Sequence, residues 1–355
     1  MTPRQKVMTA IELKLGAVPV VPQITYATAP IVGISFQEGM NDAEKMARAL
    51  VAGYKALGYD GIYAGWESSF NLVAEAMGCT LKLGGGGIPS VSSGVVSEIA
   101  DVAKLAGVDP ERDGRLPVHL KAIELVRREV GDDVPIFRYV PGPFTLSSLL
   151  RGQSAFLGDL IKNQDIVRAI LRPATESAKR FAEAAIEHGA DIVVVADPMA
   201  STSVISPKRF EEFAFPCLKE VMVTIGKAGG IPSLHICGMT APILRKMVET
   251  GTRIVELDHL VDLKKAKEEI GRDVCIEGNI DPVSILLRGK PDDVKRQALD
   301  CISRAGQSGG FIFSSGCEVP QGAPLENIRA MVTAAQRPGE EPSRLTPSET
   351  PTETR

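Results

Sequence analysis

ADIVVVADP, residues 190–198, decides the fold class. Between Asp191 and Asp197 the chain runs Ile-Val-Val-Val-Ala without a polar interruption. A strand with one wet face alternates apolar and polar residues. An unbroken apolar run bounded by acids is what a strand buried on both faces requires, and such strands belong to parallel sheets covered by helices. Short β-branched runs of the same kind recur on both sides of it. AVPVVPQ (17–23), YDGIYAGW (59–66) and VPIFRYV (134–140) lie upstream. IPSLHICG (231–238), TRIVELDH (252–259), DVCIEGNID (273–281) and GGFIFSSG (309–316) lie downstream.

Helical patterns separate these runs. Asn41 or Asp42 can cap DAEKMARALVAGYKALG, which stops at Gly58. Residues 165–188 read as one long amphipathic helix with a break or kink at Pro173. Further helices are expected over 207–227, 240–249, 263–270, 292–305 and 325–336, with Asp262, Pro291 and Pro324 as start signals. About eight strands alternating with helices predict an α/β protein, a (β/α)8 TIM barrel. It is a single domain over residues 1–336 with an N-terminal helical extension and an insertion after the second strand unit. A doubly wound open sheet is the competing arrangement, but no GxGxxG follows the first strand. The insertion, 79–117, contains LGGGGIPSVSSG (83–94), which lacks the GK[ST] of a phosphate loop. It reads as a flexible surface segment, with a mobile lid as the alternative. The end of the chain, RPGEEPSRLTPSETPTETR (337–355), is rich in Pro, Glu, Ser and Thr and is expected to be disordered.

Composition narrows the function. Hydrophobic residues at 44% and charged residues at 24% suit a soluble protein with a sizeable core. A net charge of −4 without a basic stripe excludes nucleic acid and an anionic membrane as expected partners. No stretch approaches the roughly 18 apolar residues of a membrane span. Glu12 and Lys14 interrupt the N-terminal segment, so no signal peptide is read there. The cysteines are scattered rather than dense, which points to a reducing, cytoplasmic setting. A homodimer is left open.

In a barrel of this class the active site lies over the C-terminal ends of the strands. Those ends are polar here: Asp197; His235 and Cys237; Glu256, Asp258 and His259; Glu277, Asn279 and Asp281; Cys317 and Glu318. His235 and Cys237 are two apart, hence on one face of their strand. Cys317 lies 80 positions beyond Cys237 and can reach them only across a barrel mouth. One imidazole and two thiols are a zinc set with a coordination position left for substrate, which makes His235, Cys237 and Cys317 the candidate catalytic and metal-ligating residues. Asp258 is the expected fourth ligand, with Glu256 behind it; either could instead orient His235. Asn279, Asp281, Asp197 and Glu256 are candidate substrate contacts, although Asn279 and Asp281 equally suit a helix cap. Cys79, Cys217, Cys275 and Cys301 read as small hydrophobes, and His119 and His188 as surface or hydrogen-bonded residues. A purely structural zinc in a non-catalytic binding protein is the reading from a different class.

HICGMTAPIL (235–244), GNIDP (278–282) and Gly316–Cys317, with PRQKVMTAIE (3–12) and NLVAEAMGC (71–79), resemble the uroporphyrinogen decarboxylase superfamily over roughly residues 3–336. Within it they are similar to the zinc-dependent, cobamide-linked methyltransferases, whose distinguishing His-x-Cys…Cys pattern is complete here. The resemblance implies that His235, Cys237 and Cys317 bind zinc, with Asp258 at a carboxylate position that completes the shell. It implies methyl transfer between a corrinoid (methylcobalamin) and a zinc-activated thiol such as coenzyme M. The chain has no corrinoid-anchoring DxHxxG, so a partner corrinoid protein is expected to supply the cofactor. Transfer in the other direction, from a methyl ether to cob(I)alamin, and a tetrahydrofolate-linked reaction stay open. Decarboxylases of the superfamily carry an arginine-rich RQAGR-type motif after the first strand. This chain has VPQITYATAPIVG (21–33) instead, without arginine, which argues against porphyrinogen decarboxylation.

Overall fold

A computed structural model describes residues 1–66, 70–83, 89–105 and 107–336. The strands among them are β1 (Ile62–Tyr63), β2 (Thr80–Leu83), β3 (Pro89–Ser93), β4 (Ile136–Pro141), β5 (Ile192–Ala196), β6 (Ile231–Ile236), β7 (Ile254–Leu257), β8 (Cys275–Ile280) and β9 (Phe311–Ser315). Seven form a parallel sheet in the order β1-β4-β5-β6-β7-β8-β9. The sheet curls, and the segment around Val20 closes it. The Phe313 amide donates to the Pro19 carbonyl and the Val21 amide to the Phe313 carbonyl, both at 2.9 Å. On its other side the Asp60 amide donates to the Val20 carbonyl at 2.7 Å, just ahead of β1. The barrel expected from the strand pattern is present.

The first stave is less than the strand expected over 17–23: it reduces to a single bridge between Val20 and Phe313. The physical reason is in its own sequence. Pro19 and Pro22 have no amide hydrogen to give to a ladder, so pairing cannot extend past the residues between them. An Asp60 carboxylate supplements the stave by accepting from the Val20 amide at 2.9 Å.

β5 shows how the two cores divide. Val193 and Val195 pack outward under the helices, while Ile192, Val194 and Ala196 point into the barrel with Tyr63, Phe137, Tyr139, Ile254, Cys275 and Ile312. Both sets are buried, which is why the sequence run is unbroken. Helix Pro3–Ile11 is the N-terminal extension. Its Val7, Ala10 and Ile11 join the interior cluster, and Arg4 and Lys6 pair with Asp191 and Asp60 at the N-terminal ends of the strands. That end is thereby plugged and the opposite end is left for chemistry.

Helix Ala43–Leu57 is capped by Asp42 and ended by left-handed Gly58. Three expectations need correction. Helix Gln164–Glu187 is continuous through Pro173, so of the expected break or kink the break does not occur. The helix expected over 207–227 is divided into Pro207–Arg209, a π turn Phe210–Ala214, and Phe215–Lys227. Pro216 explains the π turn, because it has no amide hydrogen for the i−4 carbonyl. The insertion after β1 is not a loose segment: β2 and β3 pair antiparallel as a hairpin outside the barrel sheet. Its end is fastened where the Val95 and Val96 amides both donate to the Leu150 carbonyl at 2.8 and 2.9 Å. The centre of the glycine run (84–88) and the terminal segment 337–355 lie outside the described residues.

His119 is a further correction. It is fully buried on the inner face of helix Leu116–Val130, and neither ring nitrogen has a hydrogen-bond partner among the described residues. Burial first, then the charges of Arg138 and Arg115, push its pKa well below the ordinary imidazole range. His188 lies near Glu111 and Glu124, each at 2.8 Å.

Candidate metal centre

β6 brings His235 to the mouth as its penultimate residue, and Cys237 follows one step past the strand. The next residue, Gly238, adopts φ 82, and a Cβ there would lie 2.7 Å from Ser203 Oγ. Glycine thus lets the loop after β6 fold against the loop after β5. Cys317 follows β9 through Gly316, where a Cβ would meet the His259 backbone nitrogen at 2.5 Å. Only glycine lets the chain pass that close to the loop after β7 and turn Cys317 towards the other two ligands.

The result is a cluster drawn from opposite parts of the sequence. His235 Nε2 lies 3.0 Å from Cys237 Sγ, and Cys237 Sγ lies 3.5 Å from Cys317 Sγ. All three ligand atoms fall within 4.8 Å of one another. A tetrahedral zinc with bonds of about 2.3 Å to sulfur and about 2.0 Å to nitrogen would separate its sulfurs by about 3.8 Å and sulfur from nitrogen by about 3.5 Å. The donor set and its spacing fit that ion. His235 is buried while Cys237 and Cys317 are half-buried, so the cluster sits where interior meets mouth.

The electrostatics favour a cation. Contact with Cys237, then burial, pushes the Cys317 thiol well above its usual range, a shift that a bound cation reverses. For His235, burial works downward, but Cys317 and the carboxylates of Glu256 and Asp258 outweigh it and raise the imidazole. With Nε2 facing the sulfurs, Nδ1 faces Glu256 Oε2 at 3.6 Å. Glu256 is fully buried; burial raises its pKa, and His235, Ser233 and Tyr63 pull it back.

The remaining candidates take other places. Asp258 does not join the cluster of three. Its Oδ2 accepts from the Gly238 amide at 2.7 Å, and its Oδ1 accepts from the Leu260 amide and faces His259 Nδ1, both at 2.9 Å. It clamps the Cys237 loop to the β7 loop. Asp197 is fully buried and anchors the start of helix Pro143–Arg151, accepting from the Thr145 amide (2.7 Å), Thr145 Oγ1 (2.6 Å) and the Phe144 amide (3.2 Å). Burial still brings its pKa up to about 6 against these donors. Asn279 Nδ2 donates to the carbonyls of Asp258 and Val261 at 3.0 and 2.8 Å. Asp281 caps the turn Pro282–Leu287, accepting from the Val283 and Ser284 amides at 2.8 Å. Each of the four expected substrate contacts is therefore held by the protein itself.

Several polar residues of the barrel interior were absent from the sequence expectation. Tyr63 Oη donates to Glu277 Oε1 at 2.8 Å, and Ser233 Oγ donates to Glu256 Oε1 at 2.8 Å. Gln23 and Tyr139 lie beside them. The available signal was parity: Ser233 is two before His235 and so shares its strand face.

With this geometry in hand, comparison with known proteins is informative. The uroporphyrinogen decarboxylase (URO-D) family matches residues 3–338. The chain belongs to that family. Methylcobamide:CoM methyltransferase MtbA of Methanosarcina acetivorans is 31% identical over 345 residues, which cover 94% of this chain and 98% of that protein. The uroporphyrinogen decarboxylase of Carboxydothermus hydrogenoformans is 30% identical over 244 residues, 67% of each chain. A solved methyltransferase structure from Methanosarcina mazei superposes with a TM-score of 0.86 at 30% identity, covering 95% of this chain and 98% of that one. The family and barrel expected from the sequence both stand.

Proposed function

We propose that this protein is a zinc-dependent methyltransferase moving a methyl group between a corrinoid carried by a partner protein and a thiol such as coenzyme M. The observation that carries the reading is the half-open cluster of His235 Nε2, Cys237 Sγ and Cys317 Sγ, all within 4.8 Å at the barrel mouth. The likeness to MtbA over nearly the whole of both chains supports the reaction class.

His235, Cys237 and Cys317 would hold the ion. Zinc there would supply a Lewis-acidic position that favours a substrate thiolate over its thiol. The thiolates of Cys237 and Cys317 with the neutral imidazole of His235 would balance the ion's charge, so a substrate sulfur held there would keep its nucleophilicity. Glu256 faces the far side of the His235 ring at ion-pair distance, and Asp258 fastens the loop that carries Cys237. A corrinoid presented by the partner would supply or accept the methyl group at its cobalt; with a thiol as acceptor, the sulfur–carbon bond would form as the carbon–cobalt bond breaks, the electron pair would remain with the corrinoid, and the thiol proton would pass to solvent. Against decarboxylation, segment 21–33 has no arginine, and its Gln23 turns into the barrel interior. Among the described residues no helix is long and apolar enough to cross a membrane. All six cysteines are free, which supports a reducing cytoplasm as the place of work.

The test is metal analysis followed by a methylcobalamin assay. The chain is expected to carry about one zinc. Adding coenzyme M should bleach the methylcobalamin spectrum and yield methyl thioether, with no turnover after Cys317→Ala. A chain without zinc, or one that transfers to tetrahydrofolate but not to a thiol, refutes the proposal.

A further inference from the structure

The segment VPQITY, which has no arginine, puts the amide side chain of Gln23 into the barrel interior beside Val21, where it is 1% exposed. No role in holding a ligand or moving a methyl group has been given to it. Its contacts reach three other staves. Tyr139 Oη on β4 donates to Gln23 Oε1 at 2.7 Å. Gln23 Nε2 donates to Glu256 Oε2 on β7 at 3.2 Å and to the Ser315 carbonyl on β9 at 3.4 Å. The Gln23 amide donates to Ser315 Oγ at 3.1 Å. An amide side chain has one acceptor end and one donor end, and a carboxylate can only accept. Glu256 therefore fixes the Nε2 end towards itself, and Tyr139 fills the other end.

The oxygen that Gln23 holds is the one facing His235. Glu256 Oε2 is 3.6 Å from His235 Nδ1, while Ser233 Oγ holds the other carboxylate oxygen at 2.8 Å. Two donors from two different staves leave the carboxylate no freedom to rotate, and its Oε2 stays opposite Nδ1. At that separation the two are an ion-pair contact rather than a hydrogen bond, and Nδ1 has no hydrogen-bond partner among the described residues, so the carboxylate is the group that faces the buried far side of the imidazole while Nε2 is turned to the cluster. We infer that Gln23, braced by Tyr139, is a positioning residue for the metal centre: it holds Glu256 against the far side of the His235 ring and so fixes the direction in which Nε2 faces the cluster. This rests on the zinc reading above and adds to it a residue more than two hundred positions away in sequence.

The experiment uses the full chain. Gln23→Met keeps the length of the side chain and removes both polar ends; Tyr139→Phe removes only the brace. Ile123→Ala, in the fully buried face of helix Leu116–Val130, supplies a variant destabilised without touching the network. Zinc affinity is read by competition with a chromophoric chelator, the ligand field by the visible spectrum of the cobalt(II)-substituted chain, and stability by thermal unfolding of the metal-free chain. Gln23→Met is expected to weaken zinc by about 10- to 100-fold and shift the cobalt bands, the range seen for lost outer partners of metal ligands. Tyr139→Phe should shift both in the same direction by less. Ile123→Ala should lower stability and leave affinity and spectrum unchanged. Zinc affinity in Gln23→Met equal to wild type, or a loss that Ile123→Ala reproduces, overturns the inference while leaving the zinc reading intact. A wild-type chain that takes up no zinc overturns both. If Gln23→Met does not fold, Tyr139→Phe decides by the same two readouts.

Discussion

Replacing Gly316 by alanine would move Cys317, one of the three proposed zinc ligands, without changing any of them. The new Cβ would sit 2.5 Å from the His259 backbone nitrogen, where ordinary contact begins at 3.4 Å. The Gly316 backbone does not lie in the left-handed region, so the substitution costs nothing in conformation and all its effect is steric. The obstacle is backbone, not the end of a flexible side chain, so the β9 loop must retreat by about 0.9 Å, the difference between those two distances. Metal–ligand distances tolerate only about 0.2 Å. Cys317 Sγ would therefore leave the cluster it now forms with Cys237 Sγ at 3.5 Å. Overpacking of this kind costs about 1–3 kcal/mol, a fraction of the roughly 5–15 kcal/mol that hold a domain together, so the barrel should stay folded. The expected result is a folded protein whose zinc affinity, measured by chelator competition, has fallen by more than about 100-fold, beyond the loss expected from an outer partner. Gly158→Ala is the control. It lies in helix Gln153–Lys162 with nothing within 4 Å of a new Cβ, and should raise stability by about 0.5–1 kcal/mol with zinc unaffected. Wild-type zinc affinity in Gly316→Ala would refute the view that this glycine sets the position of Cys317.

Cys237→Ala and Cys317→Ala are each expected to abolish zinc retention and thiol methylation while circular dichroism and cooperative unfolding persist; collapse of the fold in either would show a structural metal instead. His119 predicts a pH effect far from the metal. Its folded pKa is held well below the ordinary 6.5 by burial, so below that pH the unfolded chain binds a proton that the folded chain refuses. Stability should then fall by about 1.4 kcal/mol per pH unit as pH drops below about 6.5. His119→Phe should flatten that slope in urea titrations, and an unchanged slope would refute it.

The strands were legible because a doubly buried strand has no polar residues to hide, as in the run from Ile192 to Ala196. The first stave was overread because its apolar letters concealed two missing amide hydrogens, Pro19 and Pro22. The hairpin β2–β3 was missed because a glycine run reads as a loop whether or not its flanks pair. His119 was misjudged by residue type, although its spacing from Leu116, Leu120 and Ile123 puts it on the apolar stripe.

By itself the sequence determined the barrel and its family, and it singled out His235, Cys237 and Cys317, which the fold brings together, since strand alternation and residue type are local properties of the chain. What each polar residue at the strand ends does was decided only by the tertiary structure. Asp258, Asp197, Asn279 and Asp281 all stand at strand ends, and only their neighbours in space show them holding loops and helix starts. The same is true of Gln23. A glutamine near the start of the chain becomes a partner of Glu256 because a closed barrel brings its first stave next to its last and faces the interior of both across to β7.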